Sequence, residues 1–192
     1  MRNDAALQFL RDRRSVPAAQ LQPPGPTPEQ LRDIIAIAIR VPDHGKLAPW
    51  RLVEISGDSR VRYGEALAAL HARVDPGVPD KALAKDRDRF AHSPVVLAVI
   101  ARIDDAHPKI PAQEQLLSAG CVAFNLLLAA QAAGFAAQWL TGWSCYDRDA
   151  AKLLGLSANE RAIAYIHIGD RGEEPPERNR PDVEQVSSAW QA

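Results

Sequence analysis

Apolar and polar positions follow different rhythms along this chain, and its most distinctive stretch is nearly all apolar. From Leu116 to Phe135 there is no charged residue, and the only polar side chains are Ser118, Asn125 and Gln131. A helix over Gln113–Gly134 is therefore apolar nearly all the way round and has to be buried. About 20 apolar residues would also cross a bilayer. The segment is rich in Ala rather than Leu or Ile, however, carries Asn and Gln in mid-span and has no flanking Lys/Arg cluster. It reads as the central helix of a soluble protein, enclosed by other elements or by a second subunit, with Cys121, Asn125 and Gln131 in packing or hydrogen-bonding roles.

Helical spacing recurs elsewhere. Ala5, Leu7, Phe9 and Leu10 predict a short first helix over Asp4–Arg13, which delivers Arg13, Arg14 and Ser15 at its exit. The Pro- and Gly-rich VPAAQLQPPGP that follows is expected as a loop. Thr27, Pro28 and Gln30 then form a capping box with Pro at the first helical position. The helix they open runs to Arg40 and is stopped by Pro42. Further helices are expected from about Arg60 to Val74, over Asp80–Phe90 as a charged, exposed one, and over Asp147–Leu154 with Gly155 as its cap. Strands are predicted at Arg51–Ser56, at Ala136–Leu140 and at Ala162–Ile168, while the unbroken run VVLAVIA at Val95–Ala101 predicts an interior strand. Residues 170–192, beginning within GDRGEEPPERNRPDV, are too rich in Pro and charge for regular structure and form an arm over a surface or a partner. Helices between strands predict one α+β domain over residues 1–192, a small mixed β-sheet flanked by helices.

Composition narrows the function. With 192 residues, 46% hydrophobic, one core of ordinary size is expected. Lys+Arg 23 against Asp+Glu 24 leaves a net charge of -1 and no basic stripe, so no nucleic-acid partner is expected. Two cysteines, Cys121 and Cys145, lack CxxC spacing, and the N-terminus lacks a signal-type apolar core, which predicts a cytoplasmic setting with free thiols. Five scattered histidines contain no HExxH or HxH pair, and no metal site is expected. GxGxxG after a strand, GxxxxGK[ST] and GxSxG are all missing, which removes the Rossmann, P-loop and hydrolase-elbow readings.

What remains is a set of cations at element ends: Arg13 and Arg14 beside Ser15, then Arg40, His44 and Lys46 around PDHGKLAPW, and Arg178 and Arg180 in the tail. Taken singly, such residues are ordinary solvated charge. Two Arg forks and a hydroxyl together suit a phosphate.

Arg13-Arg14-Ser15, PDHGKLAPW, the apolar helix entered through Glu114, the Trp139-Leu140-Thr141-Gly142 turn, and IHIGD before an Arg-x-Arg arm resemble, in that order, the nitroreductase family of FMN-dependent oxidoreductases, and its compact branch in particular. The resemblance spans almost the whole chain. It implies a nitroreductase-like α+β homodimer with the long central helices packed together and two FMN molecules at the subunit interface. It implies that Arg13, Ser15 and Arg180 hold the FMN phosphate, with Arg14 between the first two and Arg178 as a second tail cation. Arg40 and His44 match flavin-contacting positions, and Trp139, Leu140 and Thr141 lie against the ring, where an amide of Thr141 or Gly142 donates to flavin N5. No side chain is required as a nucleophile. NADH or NADPH delivers a hydride to N5, and Lys46 or Arg40 offsets the charge near N1 and the C2 oxygen. A small oxidised acceptor, a nitro compound or a quinone, then takes the same slot in a ping-pong cycle. The sequence departs from the family's usual PSSxNxQPW, with Asp43-His44, Lys46 and Ala48 in place of Ser-Ser, Asn and Gln. Flavin cleavage, dehalogenation or a specific dehydrogenation on the same fold is the alternative chemistry, and a cofactor-free helical dimerisation protein is the alternative class. Trp50, Trp139 and Trp143 are either core aromatics or the walls of an acceptor pocket.

Overall fold

The computed structural model describes residues 1–191, in the order α1 (Asp4–Asp12), β1 (Leu21–Gln22), α2 (Pro28–Ala38), β2 (Trp50–Ser56), α3 (Ser59–Val74), α4 (Asp80–Asp88), β3 (Val95–Arg102), α5 (Ala112–Ala132), β4 (Ala136–Leu140), α6 (Arg148–Leu153), β5 (Glu160–Arg171) and α7 (Val183–Val186). Ala192, the last residue of the expected arm, lies outside the described residues.

The sheet is built on β3, whose seven apolar residues Val95–Ala101 are all buried. Their side chains alternate between two cores. Val95, Leu97 and Val99 pack with α2 and α5, whereas Val96, Ala98 and Ile100 pack with Tyr63, Leu67 and Phe90 on the α3 side. Strand β3 pairs with β2 on one side and β5 on the other, and β4 lies along the far side of β5. A bulge opposite Val99 and Ile100 skips Ile163, so that Ala162 faces one core and Ala164 the other.

The expected mixed sheet is antiparallel in every strand pair, within the α+β architecture that was expected. The reason lies in the connections. Helices α3 and α4 run out and back, returning the chain to the end it left, with Ser56 opposite Val95. Helix α5 does cross the sheet and makes β4 run in the direction of β3, but β5 enters between them and opposes both.

Local chemistry sets the ends of the site-bearing helices. At α2 the capping box closes as expected, with Gln30 N–H donating to Thr27 Oγ1 at 3.2 Å and Thr27 N–H to Gln30 Oε1 at 2.9 Å. Helix α5 ends in a Schellman motif: Phe135 N–H donates to Ala130 O and Gly134 N–H to Gln131 O. Gly134 sits at φ +91°, a left-handed value that a side chain would oppose.

Two segments expected to lack regular structure contain some. The loop after Ser15 forms a 3₁₀ turn at Ala18–Gln20 and the two-residue β1, and the arm contains α7, capped by Asp182 and Gln185. Each is short enough to hold on one or two hydrogen bonds despite the flanking prolines.

Helix α5 is apolar all round, yet only part of it is enclosed. Leu126, Ala129 and Ala130 are fully inside, whereas Leu117 is 61% and Phe124 46% exposed, with Cys121 between them at the surface. Ile37 and Ile39 at the end of α2 extend this apolar stripe. Helix α1 buries no residue, and Val183, Val186 and Trp190 of the arm stand open.

Candidate functional site

The three polar side chains of α5 beyond Leu116 are tethers. Gln131 Nε2 donates to Arg14 O at 2.6 Å, Asn125 Nδ2 to the Ile37 and Ala38 carbonyls at 3.2 Å, and Ser118 Oγ to Pro42 O at 2.6 Å. A nearly apolar helix thereby holds the two cation-bearing segments at set heights. From Glu114 to Gln131 it climbs about 25 Å at ~1.5 Å per residue, so the segments stand far apart within one chain.

At the Gln131 end, Arg13, Arg14 and Ser15 leave α1 and run onto β4. Val16 N–H donates to Ala137 O at 3.2 Å and Ala18 N–H to Gln138 Oε1 at 2.5 Å. Arg180 reaches back from the arm. Burial first, then the charges of Arg180 and Arg14, hold the Arg13 guanidinium below its ordinary pKa. Arg14 is half-buried and forms an ion pair with Glu177 of the arm. Arg178 projects from the same exposed stretch of the arm, its N–H on Glu177 Oε1. Arg13, Arg14 and Arg180 thus gather as the sequence predicts, with Ser15 exposed beside them.

Toward the Glu114 end, His44 and Lys46 are exposed on the α2–β2 connection, and Arg40, also exposed, lies level with the middle of α5 between the carbonyls that Asn125 and Ser118 hold. His44 Nδ1 hydrogen-bonds Glu114 Oε2 at 2.7 Å. Gly45 at φ +70°, Lys46 at +56° and Ala48 at +45° are left-handed, and for the two non-glycine residues this costs on the order of 1 kcal/mol each. The Asp43 carboxylate holds the shape by accepting from Leu47 N–H at 3.2 Å and Ala48 N–H at 2.8 Å. Asp43 was not singled out from the sequence as a loop organiser, although an Asp opening a Gly-containing turn is the signal for it. These three cations are not brought to Arg13 within the chain.

Between the two, β4 carries Trp139 and Leu140 to the turn at Thr141 and Gly142. The turn lies about 13 Å from Ala137 at ~3.3 Å per strand residue. Trp139 and Trp50 pack on the α5 side of the sheet, while Trp143 packs on the α3 side, so the three tryptophans do not wall one pocket. Cys145 N–H donates to Gly142 O at 3.0 Å, and burial pushes up the pKa of the Cys145 thiol.

The α3 side holds buried polar groups. Tyr63 Oη and Tyr165 Oη are 2.8 Å apart, and burial raises the pKa of both phenols. His167 Nδ1 meets Ser93 Oγ at 2.9 Å, while its Nε2 has no partner among the described residues. Burial, with Arg89 and His92 nearby, lowers its pKa to about 3 and keeps it neutral. Arg51 grips the buried Glu160 carboxylate at 2.7 and 2.9 Å and pulls its pKa down to about 2. Among the described residues no group of three His, Cys, Asp or Glu side chains is placed to hold a metal.

This arrangement has relatives. The profile of the Nitroreductase family matches residues 10–170, from the last turn of α1 to the last turn of the sheet. A Haemophilus influenzae protein named "Putative NAD(P)H nitroreductase" is 36% identical over 173 residues, 90% of this chain and 91% of that one. A Bacillus cereus protein described as nitroreductase-like superposes with a TM-score of 0.83 at 18% identity, covering 100% of this chain and 99% of that one. A Desulfovibrio desulfuricans protein solved in complex with FMN superposes with a TM-score of 0.74 at 22% identity, covering 100% of both. The family profile, the sequence identity and the fold agree, and the chain belongs to the nitroreductase family.

Proposed function

We propose that the protein is an FMN-dependent NAD(P)H oxidoreductase, a homodimer of one-domain chains (1–192) with residues 170–192 as an arm, which reduces a small oxidised acceptor such as a nitro compound or a quinone. The observation that carries this reading is the placing of Arg13, Arg14 and Arg180 near one another at the foot of β4, where burial first and then the like charges weaken Arg13's hold on its own proton. Gathered like charges are costly until an anion joins them. A phosphate surrounded by Arg forks and the Ser15 hydroxyl is the group this donor set suits.

FMN, when bound, supplies a ring whose N5 takes up and passes on a hydride. The chain binds and orients it. Arg13, Ser15 and Arg180 hold the phosphate, with Arg14 and Arg178 adding charge. Trp139 and Leu140 would lie against the ring, where an amide of Thr141 or Gly142 would donate to N5. Arg40, His44 and Lys46 come from the second copy, because a two-fold axis across α5 sets the Glu114 end of one chain beside the Gln131 end of the other. The same pairing covers Ile37, Ile39, Leu117 and Phe124, apolar area worth about 25 cal/mol per Å² removed from water. It also offers cover for α1 and for Trp190. Half of α5's most apolar window is enclosed within a single chain, which supports a core helix rather than a membrane span, and a soluble, cytoplasmic protein with free thiols.

The test is the absorption spectrum of purified protein and its titration with FMN. Yellow protein, or colourless protein that takes up about one FMN per chain, supports the reading, and protein that takes up none overturns it. With NADH or NADPH the bound flavin should bleach, and initial rates at several acceptor concentrations should give parallel double-reciprocal lines. Intersecting lines would remove the shared slot.

A further inference from the structure

The end of α4 reaches the Thr141–Trp143 turn through two bridges. In the first, Trp143 Nε1–H donates to both oxygens of Asp86 at 3.0 Å. Asp86 is 5% exposed, and a carboxylate so far from water must be met by donors. Its other partner is His71 Nδ1 of α3 at 2.6 Å, and the imidazole lies against the Trp143 ring with centroids 4.6 Å apart. Indole, carboxylate and imidazole interlock three elements. In the second bridge, Arg89 Nη1 donates to Thr141 O at 3.1 Å. The guanidinium lies so close over Gly142 that a Cβ there would collide with it. Arg89 makes no ion pair among the described residues. Its hydrogen-bonding capacity goes to a backbone carbonyl of the turn.

The consequence follows from peptide planarity. Thr141 C=O and Gly142 N–H belong to one rigid plane; Arg89 holds its carbonyl, and Cys145 N–H holds the next carbonyl, Gly142 O, at 3.0 Å. That plane cannot rotate while both contacts persist, and Trp143, anchored on Asp86, stops the next residue from swinging. We propose that Asp86 and Arg89 are positioning residues for hydride transfer: from the end of α4 they set the orientation of the Thr141–Gly142 peptide at the head of β4. This rests on the oxidoreductase reading above and extends it to residues that touch neither phosphate nor ring.

The test uses full-length protein and two variants, Arg89→Met and Trp143→Phe. The first removes the donor at nearly constant length, and the second removes the indole N–H while keeping an aromatic ring, though a smaller one, beside His71. Two readouts are taken: hydrogen exchange of amides 142–145 without flavin, and single-turnover bleaching of bound FMN across donor concentrations. The expected result is exchange faster by roughly tenfold, the equivalent of one lost hydrogen bond. The limiting bleaching rate should fall by about tenfold, with the half-saturating donor concentration and FMN retention within about threefold. Arg89→Lys, which keeps one donor, should recover part of the rate. Unchanged exchange in both variants, or faster exchange with an unchanged limiting rate, overturns the proposal. If one variant does not fold, the other carries the same test. If wild-type protein takes up no FMN, the oxidoreductase reading falls by itself, and exchange alone decides whether the bridges hold the turn.

Discussion

The two ends of α5 are built on opposite physical terms. At the Gln131 end the backbone is relaxed and like charges meet: Arg14, Val16 and Ala18 hydrogen-bond onto α5 and β4 while Arg13 lies in the field of Arg180 and Arg14. At the Glu114 end the charges are spread over an exposed loop and the backbone is strained, with Asp43 holding Lys46 and Ala48 left-handed. The cost at the first end is electrostatic, and on the proposed reading an anion from outside would offset it. The cost at the second end is conformational, and a carboxylate inside the loop sustains it. One end is suited to gripping, the other to presenting side chains to something it does not itself bind.

The strongest way to break this comparison is to keep the two ends from meeting. Phe124→Glu puts a carboxylate in the middle of the exposed stripe of α5. The expected outcome is a monomer by light scattering that retains almost no flavin. A monomer that retains it would mean that one end suffices. Next in size, Arg13→Ala should weaken FMN binding by about 10- to 100-fold, the range for a lost charge-assisted hydrogen bond of ~1.5–3 kcal/mol. Lys46→Ala should change it by less than about threefold. Equal losses, read by equilibrium dialysis, would erase the distinction between gripping and presenting.

Acid sharpens the comparison by adding an unfolding transition that neither end causes. His167 has a pKa of about 3 in the folded chain against an ordinary 6.5, so between those limits the unfolded chain binds more protons. Stability is therefore intact above about pH 6.5 and falls as pH drops toward 3, by at most ~1.4 kcal/mol per pH unit. Urea unfolding from pH 7 to 4 should show this slope flattened in His167→Gln, and an equally steep slope would clear His167 of the effect. The smallest effect is expected at Asp43→Ala, which leaves two loop amides without their acceptor and should cost about 1–2 kcal/mol. A variant as stable as wild type in urea would show that the loop keeps its shape without the carboxylate.

Much of the frame was legible because it is written in neighbouring residues. The Thr27–Gln30 box, the unbroken Val95–Ala101 run and the greasy helix closed at Gly134 each announce an element through contacts a few residues apart. The segments of the candidate site were legible through their order. Their division between the two ends of α5 was not, since it depends on Ser118, Asn125 and Gln131 acting as tethers across long loops. Arg89 looked like one more charge on an exposed helix, and nothing near it in sequence hints that Thr141, 52 residues on, supplies its acceptor.

Sequence alone determined which stretches must be buried, where helices begin and stop, and which cations are available to an anion, because burial cost, capping and charge are properties of local composition. Tertiary structure alone decided that the sheet is antiparallel and that Trp143 faces away from Trp139. Those outcomes depend on how long connections close, and closure is settled by packing between residues that no local pattern links.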